Sequence, residues 1–479
     1  MGQLDQIEHF IVLMLENRSF DSLLGKLYPP SADFDGLTGS ESNPDVHGQP
    51  VTVWNSPGTD EITMSFPTPD PGELFVDINT QLYRRPSPAN PLAPPNMGGF
   101  AMNYQEQAPG NDPKNAMHYF TPEQVPVISA LARNFSVCDR WFASAPCQTW
   151  PNRFFAHTGT ANGYENNSPT HFPYTMDTIY NRFELAGNLT WKIYFHDIAQ
   201  CKTLSKLWLL ADHFHFIQQL ASDAANDTLP NYAFIEPRYF PDWSMPNDMH
   251  PPHVVTLGEQ LIASVYNMLR SSKAWPKTVL IITFDEHGGC YDHVPPPVAR
   301  PPSSVPTAPF HFNRFGVRVP AVIVSPFVTP GSIVRSPTAT PFDHTSIIAT
   351  LRKRFRELGS ALTARDRMAS DVGNALTLLS PTNLGPPRLD PLPYAPTPTL
   401  VAKAQTQPMN NMQKSLVKLA ANLPSNAINA DPAAITAHVT KIQAQENLPP
   451  PDATTSAQNG AAFVKQRLGE FFTPPAVTN

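Results

Sequence analysis

Thr278-Val279-Leu280-Ile281-Ile282-Thr283-Phe284 runs directly into Asp285-Glu286-His287-Gly288-Gly289. A continuous apolar run of this kind is what a central parallel strand, covered on both faces, requires. It stops abruptly at charged residues, so the chain leaves the sheet through a polar turn. Upstream, Ile7 to Leu15 reads as a second buried strand, ended by Glu16-Asn17. Val319 to Val324 is a third, closed by Ser325-Pro326. Val137 to Phe142, Leu189 to Phe195 and Tyr232 to Ile235 resemble further short strands. Thr121 to Asn134 carries a helix pattern, with Thr121 as N-cap, Pro122 in the first turn and Glu123 as a first-turn acid. Gly258 to Leu269 carries another. Strands alternating with helical segments predict an α/β fold with a doubly wound, mainly parallel sheet.

The chain has 479 residues, 41% of them hydrophobic. That is enough for one large α/β domain with an appendage. The pattern predicts a main domain over 1–380, a proline-rich linker over 381–399 and a helical C-terminal tail over 400–479. Leu400 to Asn422 and Ala434 to Gln445 have helical spacing, and the chain is expected to end in a polar tail. Such an appendage packs on the main domain or on another subunit, which leaves a homo-oligomer through the tail open. Asn43 to Asn115, rich in Pro, Gly and Asn, reads as a long irregular excursion over the surface, and loops of that length are usually functional.

A net charge of -7 with no long basic run argues against nucleic acid as the main partner. Cys138, Cys147, Cys201 and Cys290 form no Cys-x-x-Cys pair and are too few for a disulfide framework, so free and mostly buried thiols are expected. Met1 to Glu16 lacks a basic leader region and a small-residue cleavage site. Ile7 to Leu15 is far shorter than the roughly 20 residues of a membrane span. The sequence as it stands reads as cytoplasmic, or as periplasmic or secreted if the N-terminus was trimmed.

Two carboxylate-bearing pairs sit where strands end: Glu16-Asn17 and Asp285-Glu286. Open parallel sheets bind ligands beyond the carboxyl ends of their strands. Three like charges in one cleft repel unless a cation neutralises them, and an all-oxygen shell suits Mg²⁺, Ca²⁺ or Mn²⁺. Asp292-His293 and Asp343-His344 are also metal-capable but do not end a strong strand. A third segment, Ala145 to Arg153, places Thr149 before Pro151 at an apparent helix start. Thr149 there is either a plain helix cap or a hydroxyl facing a phosphate held at the helix N-terminus. Among the histidines, His118, His196, His250 and His253 lie in loop-like stretches, and imidazole is a natural phosphate contact and general acid.

Together these segments resemble the bacterial and plant phosphoesterase family that contains non-specific phospholipase C enzymes and acid phosphatase A. The resemblance is carried by Glu16-Asn17-Arg18-Ser19-Phe20-Asp21, Thr149-Trp150-Pro151-Asn152-Arg153, Asp285-Glu286-His287-Gly288-Gly289 with Tyr291 to Pro296, and Gly316 to Pro320 running to Ser325-Pro326. Asn247 to Pro252 and Phe342 to Ser346 fit as well. It covers roughly residues 5 to 370, in order, and leaves out the tail. It implies an alkaline-phosphatase-like fold, one divalent metal (Ca, Mg or Mn) and a covalent phosphoryl-enzyme. Carried onto this chain, Glu16, Asn17, Thr149, Asp285 and Glu286 are the implied metal ligands, with Thr149 as nucleophile. His118, His196 and His250 are the implied phosphate-contacting and acid/base residues, and Asn17 and Asn152 the implied substrate contacts. Where relatives have Gly-Pro before the nucleophile, this chain has Cys147-Gln148. The expected activity is phospholipase C type, on a phospholipid head group. A broad acid phosphatase acting on small phosphate esters is the alternative, and a non-catalytic binding protein on the same fold a remote one.

Overall fold

The run Thr278–Phe284 is a strand buried at every position, and it lies inside an eight-stranded sheet. The computed structural model describes residues 2–88, 90, 92–168, 172–242, 244–303, 310–445 and 455–473. In chain order the sheet contains β1 (His9–Leu15), β2 (Ser136–Val137), β3 (Trp191–Phe195), β4 (Phe214–Phe216), β5 (Tyr232–Glu236), β6 (Thr278–Phe284), β7 (Ala321–Val324) and β8 (Ser332–Ile333). Their spatial order is β8-β2-β7-β6-β1-β5-β3-β4. From β6 to β4 every neighbour is parallel. β7 alone runs antiparallel, to both β6 and β2. The mainly parallel α/β sheet expected from the sequence is therefore present.

Strand boundaries shift where polar residues interrupt. Val137 to Phe142 is not one strand. Ser136–Val137 joins the main sheet, whereas Trp141–Phe142 pairs with Phe342–Asp343 in a separate two-stranded sheet. Between them Asp139 is held by Arg335, which breaks the run.

The helix expected from Thr121 begins at Pro126 and runs to Asn134. Its cap comes from far away. Glu259, on the helix Val255–Ser271, accepts from the N–H groups of Val127 (2.5 Å) and Ile128 (3.1 Å). A distant carboxylate satisfies the first-turn donors that a local Thr121 was expected to take.

The excursion from Asn43 to Asn115 is more ordered than its composition implies. It contains the helices Phe75–Tyr83 and Phe100–Gln107 and a small hairpin of Ser42–Pro44 with Pro50–Thr52. Ile78, Leu82 and Phe100 bury together in a satellite core.

Beyond residue 380 the proline-rich stretch lies along the helix Val255–Ser271. Tyr266 donates to Pro386 O (2.6 Å), Asn267 to Leu389 O (2.9 Å) and Gln260 to Tyr394 O (2.7 Å). The helices Pro398–Thr406, Asn411–Asn422 and Pro432–Gln445 follow. Leu416, Val417 and Leu419 are fully buried in the main core. A further helix, Ala457–Phe472, follows, in which Val464, Leu468 and Phe471 form one apolar stripe at spacings of four and three; the end of the expected polar tail, 474–479, lies outside the described residues.

All four cysteines are free and buried. Among the described residues no helix is long and apolar enough to cross a membrane.

Candidate active site

β1 and β6 are in register from His9 opposite Thr278 to Leu15 opposite Phe284. The next residues, Glu16-Asn17 and Asp285-Glu286, therefore leave adjacent strands at one edge. Asn17 N donates to Asp285 Oδ1 (2.9 Å), which also accepts from Glu286 N (2.8 Å). Asn17 has φ 54°, the left-handed region that asparagine tolerates better than most residues. Gly288 packs against that turn. A Cβ added to Gly288 would lie 2.5 Å from Asn17 Cβ, and its φ of +58° favours glycine as well.

Thr149 is the first residue of the helix Thr149–Thr158 and is fully buried. Its hydroxyl donates to Glu16 Oε2 (3.2 Å) and lies 3.5 Å from Asn17 Oδ1. Sequence reasoning expected the helix N-terminus to cradle a phosphate with its N–H groups. Those donors are mostly spent: Trp150 N donates to Asn167 Oδ1 (2.7 Å), Pro151 has none, and Asn152 N donates to Gln148 O (3.4 Å). Asn152 holds its own loop, donating to Cys147 O (2.7 Å) and accepting from Ala145 N (3.0 Å).

Several residues complete the site without having been singled out from sequence. Arg153, one turn after Thr149, is buried. It donates to Glu16 Oε1 (2.6 Å) and approaches Glu236 (3.7 Å) and Asp285 (3.8 Å). Gln200 also donates to Glu16 Oε1 (2.6 Å). Glu73, from the excursion, accepts from Asn17 Nδ2 and from Gln148 Nε2 (3.0 Å). The Cys147-Gln148 departure thus has a structural use, since Gln148 ties the nucleophile loop to Glu73.

The electrostatics follow from burial. Glu16 is pushed well above the usual carboxylate range by burial and then by Asp285, with Arg153 opposing. Burial, then Glu73 and Asp285, do the same to Glu286. Two carboxylate oxygens, Asp285 Oδ2 and Glu286 Oε1, are buried with no hydrogen-bond partner. Buried acceptors without partners are costly. With Glu16 Oε2, Asn17 Oδ1 and Thr149 Oγ1 they are oxygen donors of the kind a hard divalent cation takes.

By spacing alone a second group also qualifies. Among the described residues, Asp21, Asp292 and His293 bring three ligand atoms within 4.8 Å of one another and could hold a metal ion. Glu16, Asp285 and Glu286 do not draw together that closely. The triad is, however, already charge-balanced: Arg318 donates to Asp21 (2.9 Å) and Asp292 (2.9 Å), and Asp21 pairs with His293 (2.7 Å). The Asp343-His344 pair is likewise engaged. Asp343 accepts from Ser144 (2.9 Å) and Thr345 (2.5 Å), and His344 Nε2 donates to Asp285 O (2.6 Å).

The histidines divide. His250 reaches the site through Glu73, 3.8 Å from its Nε2, with Asp70 3.8 Å from its Nδ1. Burial works to lower its pKa, but Asp70, Glu73 and Asp248 more than offset this and it is pushed up to about 9. His118 sits in a box of Trp54, Phe66 and Phe120 and accepts from Ser56 N at Nε2 (3.1 Å). Burial and Arg18 push it down to about 3, so it is neutral, with its proton on Nδ1, a buried donor lacking a partner. His196 follows β3 and lines a cavity of about 580 Å³ with Phe216, Val464 and Phe472. Burial and Arg238 push its pKa down to about 3. No hydrogen bond among the described residues joins His118 or His196 to the carboxylate cluster.

Comparison with known proteins gives the site a family. Residues 7–357 match the model of the Phosphoesterase family. Non-specific phospholipase C3 of Arabidopsis thaliana is 36% identical over 443 residues, covering 88% of this chain and 83% of its own. Non-specific phospholipase C1 of the same plant is 38% identical over 382 residues, 76% of this chain and 69% of its own. Phospholipase C B of Mycobacterium tuberculosis is 28% identical over 459 residues, 82% and 83% respectively. A solved protein of the alkaline phosphatase superfamily from Vibrio parahaemolyticus overlaps 52% of this chain and 63% of its own at 11% identity and a TM-score of 0.31, too loose to bear on the fold. The family match spans the central strands, the helix Thr149–Thr158 and both carboxylate pairs, and the chain belongs to the phosphoesterase family, whose members hydrolyse phosphoric esters.

Proposed function

We propose that the chain is a phospholipase C-type hydrolase that cleaves a phospholipid at the phosphate on the glycerol side, through a phosphothreonine at Thr149. The observation that carries the reading is a cluster of buried carboxylates in which Asp285 Oδ2 and Glu286 Oε1 have no hydrogen-bond partner among the described residues, with a threonine hydroxyl at a helix start bonded to Glu16 of the same cluster. The names of the plant and mycobacterial relatives support the substrate class. We read Glu16, Asn17, Thr149, Asp285 and Glu286 as the residues that hold one divalent cation, Ca²⁺, Mg²⁺ or Mn²⁺. Bound there, it would lower the pKa of the Thr149 hydroxyl and neutralise phosphoryl oxygens.

The chain's own residues do the rest. Glu16 Oε2 orients the Thr149 hydroxyl and takes its proton as the oxygen attacks phosphorus in line; the bond from phosphorus to the alcohol oxygen breaks, and the proton returns to Thr149 when water releases the phosphate. Asn17, fixed by Glu73, and the unused Nδ1–H of His118 are donors suited to phosphoryl oxygens. His250, protonated at neutral pH, gives a proton to the departing alcohol and afterwards takes one from the attacking water. Asn152 acts through the nucleophile loop rather than by touching substrate.

The experiment is a substrate panel, phosphatidylcholine vesicles beside simple phosphate monoesters, each with and without chelator. Release of phosphocholine that stops with chelator and returns with added divalent ion is the expected result. Full activity in exhaustively metal-free protein would overturn the metal assignment, and turnover of monoesters alone would overturn the phospholipase assignment.

A further inference from the structure

We infer that Gln200 and Arg153 are positioning residues that force Glu16 to offer a single oxygen, and thereby bias the site toward a small octahedral divalent ion over Ca²⁺. The inference rests on the metal-dependent reading above and goes beyond it, to residues and an ion preference that reading does not assign.

The geometry is specific. Glu16 Oε1 receives two short bonds, from Gln200 Nε2 (2.6 Å) and from Arg153 Nη2 (2.6 Å). Its other oxygen, Oε2, has the Thr149 hydroxyl as its partner, at 3.2 Å. One oxygen is thus consumed on the side away from Thr149, and the other points toward it. Arg153 is itself anchored to the end of β1 through Met14 O (3.1 Å), which fixes the guanidinium that holds Glu16 Oε1. Gln200 is delivered by the loop after β3, where its backbone N–H is tied to Glu236 Oε2 (2.9 Å). Both donors are nearly or fully buried, so water does not replace them readily.

Ion size turns this geometry into selectivity. Ca²⁺ takes about 6–8 oxygens and accepts bidentate carboxylates, whereas Mg²⁺ demands near-octahedral geometry with about six ligands at shorter distance. A Glu16 clamped to one oxygen denies the larger ion a bidentate partner and leaves positions for the nucleophile and the phosphate. Gln200 is the probe: its side-chain amide donates to Glu16 Oε1 and also meets the Tyr239 hydroxyl, and its Oε1 has no hydrogen-bond partner among the described residues.

The test is calorimetric titration of the full chain with Mg²⁺, Mn²⁺ and Ca²⁺, in wild type, Gln200→Met and Gln200→Asn, with folding checked by thermal melting. Met fills the space without a donor, and Asn keeps the donor but falls short of Glu16. The expected result is that wild type binds Mg²⁺ or Mn²⁺ in preference to Ca²⁺, and that both variants shift the ratio at least tenfold toward Ca²⁺. An unchanged ratio in a folded variant that still binds metal would overturn the clamp and leave the metal reading intact. Wild type that binds none of the three ions would overturn both.

Discussion

Two buried carboxylate groups lie near the same edge of the sheet, and they are built to opposite ends. Asp21 and Asp292 share the guanidinium of Arg318 at 2.9 Å each, with His293 on Asp21. Glu16, Asp285 and Glu286 have Arg153 as their buried cation, yet among the described residues Asp285 Oδ2 and Glu286 Oε1 remain without hydrogen-bond partners. The first group is tighter and satisfied by the protein. The second is looser and leaves oxygens for something the chain does not supply. Proximity of carboxylates does not by itself mark a metal centre. The proposed centre is distinguished by two carboxylate oxygens in one cluster that lack hydrogen-bond partners among the described residues, and a buried acceptor of that kind calls for an explanation.

The largest effect expected is at the open group. Thr149→Ala removes the attacking oxygen and costs the fold only the hydroxyl's bonds to Glu16 and Asn17, about 1 kcal/mol, since the N-cap is Gln148 and not Thr149. Turnover should fall by at least ~10³-fold while the protein melts nearly normally. Thr149→Ser should retain measurable activity. A near-normal rate for the alanine variant would overturn the nucleophile assignment.

His250→Asn should lower the rate by roughly 10²- to 10⁴-fold. The sign of the pH dependence follows from the raised pKa: the acid form is present below about 9 and lost as pH rises through it. The wild-type rate should therefore fall on the alkaline side near 9, and the asparagine variant should lack that limb. A variant that keeps the limb would assign it to another group.

The comparison itself is broken or sharpened by a matched pair. Arg318→Met should strip the satisfied group of its cation and cost about 3–5 kcal/mol of stability, read from denaturant unfolding. It should leave divalent-ion affinity little changed. Glu286→Gln should do the reverse, weakening metal binding by at least ~10²-fold with little loss of stability. If Arg318→Met abolished metal binding and Glu286→Gln did not, the two groups would have been assigned the wrong way round.

A smaller effect tests the same logic with the opposite charge. Lys202 is fully buried, with no hydrogen-bond partner for its ammonium. It lies among the rings of Phe195, Phe214, Phe471 and Phe472, the nearest 3.3 Å away. Burial pushes its pKa down to about 7, against a partial pull upward from Cys201 and Glu236. The folded state then resists protonation more than the unfolded chain does. The penalty is full below about 7 and fades as pH rises toward the unfolded value. Lys202→Met should raise stability by about 1 kcal/mol, more at pH 6 than at pH 9. A larger gain at pH 9, or a loss at pH 6, would mean that the aromatic cage more than offsets desolvation.

What could be read from sequence follows the same division. β1 and β6 were legible because each is an apolar run cut off by Glu16 or Asp285, and their shared register then places the pairs together without further information. Thr149 was legible from Pro151 and its family segment. Glu73, Gln200 and Arg153 were not singled out, because each is a polar residue with no periodic neighbour to flag it, and each reaches the site only through tertiary packing. Arg318 was quoted within a motif but not as the cation that closes Asp21 and Asp292. The last helix was missed because its stripe of Val464, Leu468 and Phe471 is diluted by Gly460, Gly469 and polar residues.

The central claim is that Thr149 carries the phosphoryl group during turnover. The direct measurement is rapid acid quenching of enzyme with phosphatidylcholine, followed by digestion and mass spectrometry of the peptide that contains Thr149. The account predicts one phosphate on Thr149 in wild type, appearing before steady state, and none in Thr149→Ala. Turnover proceeding with no phosphopeptide at any quench time, or with the phosphate on another residue, would contradict it.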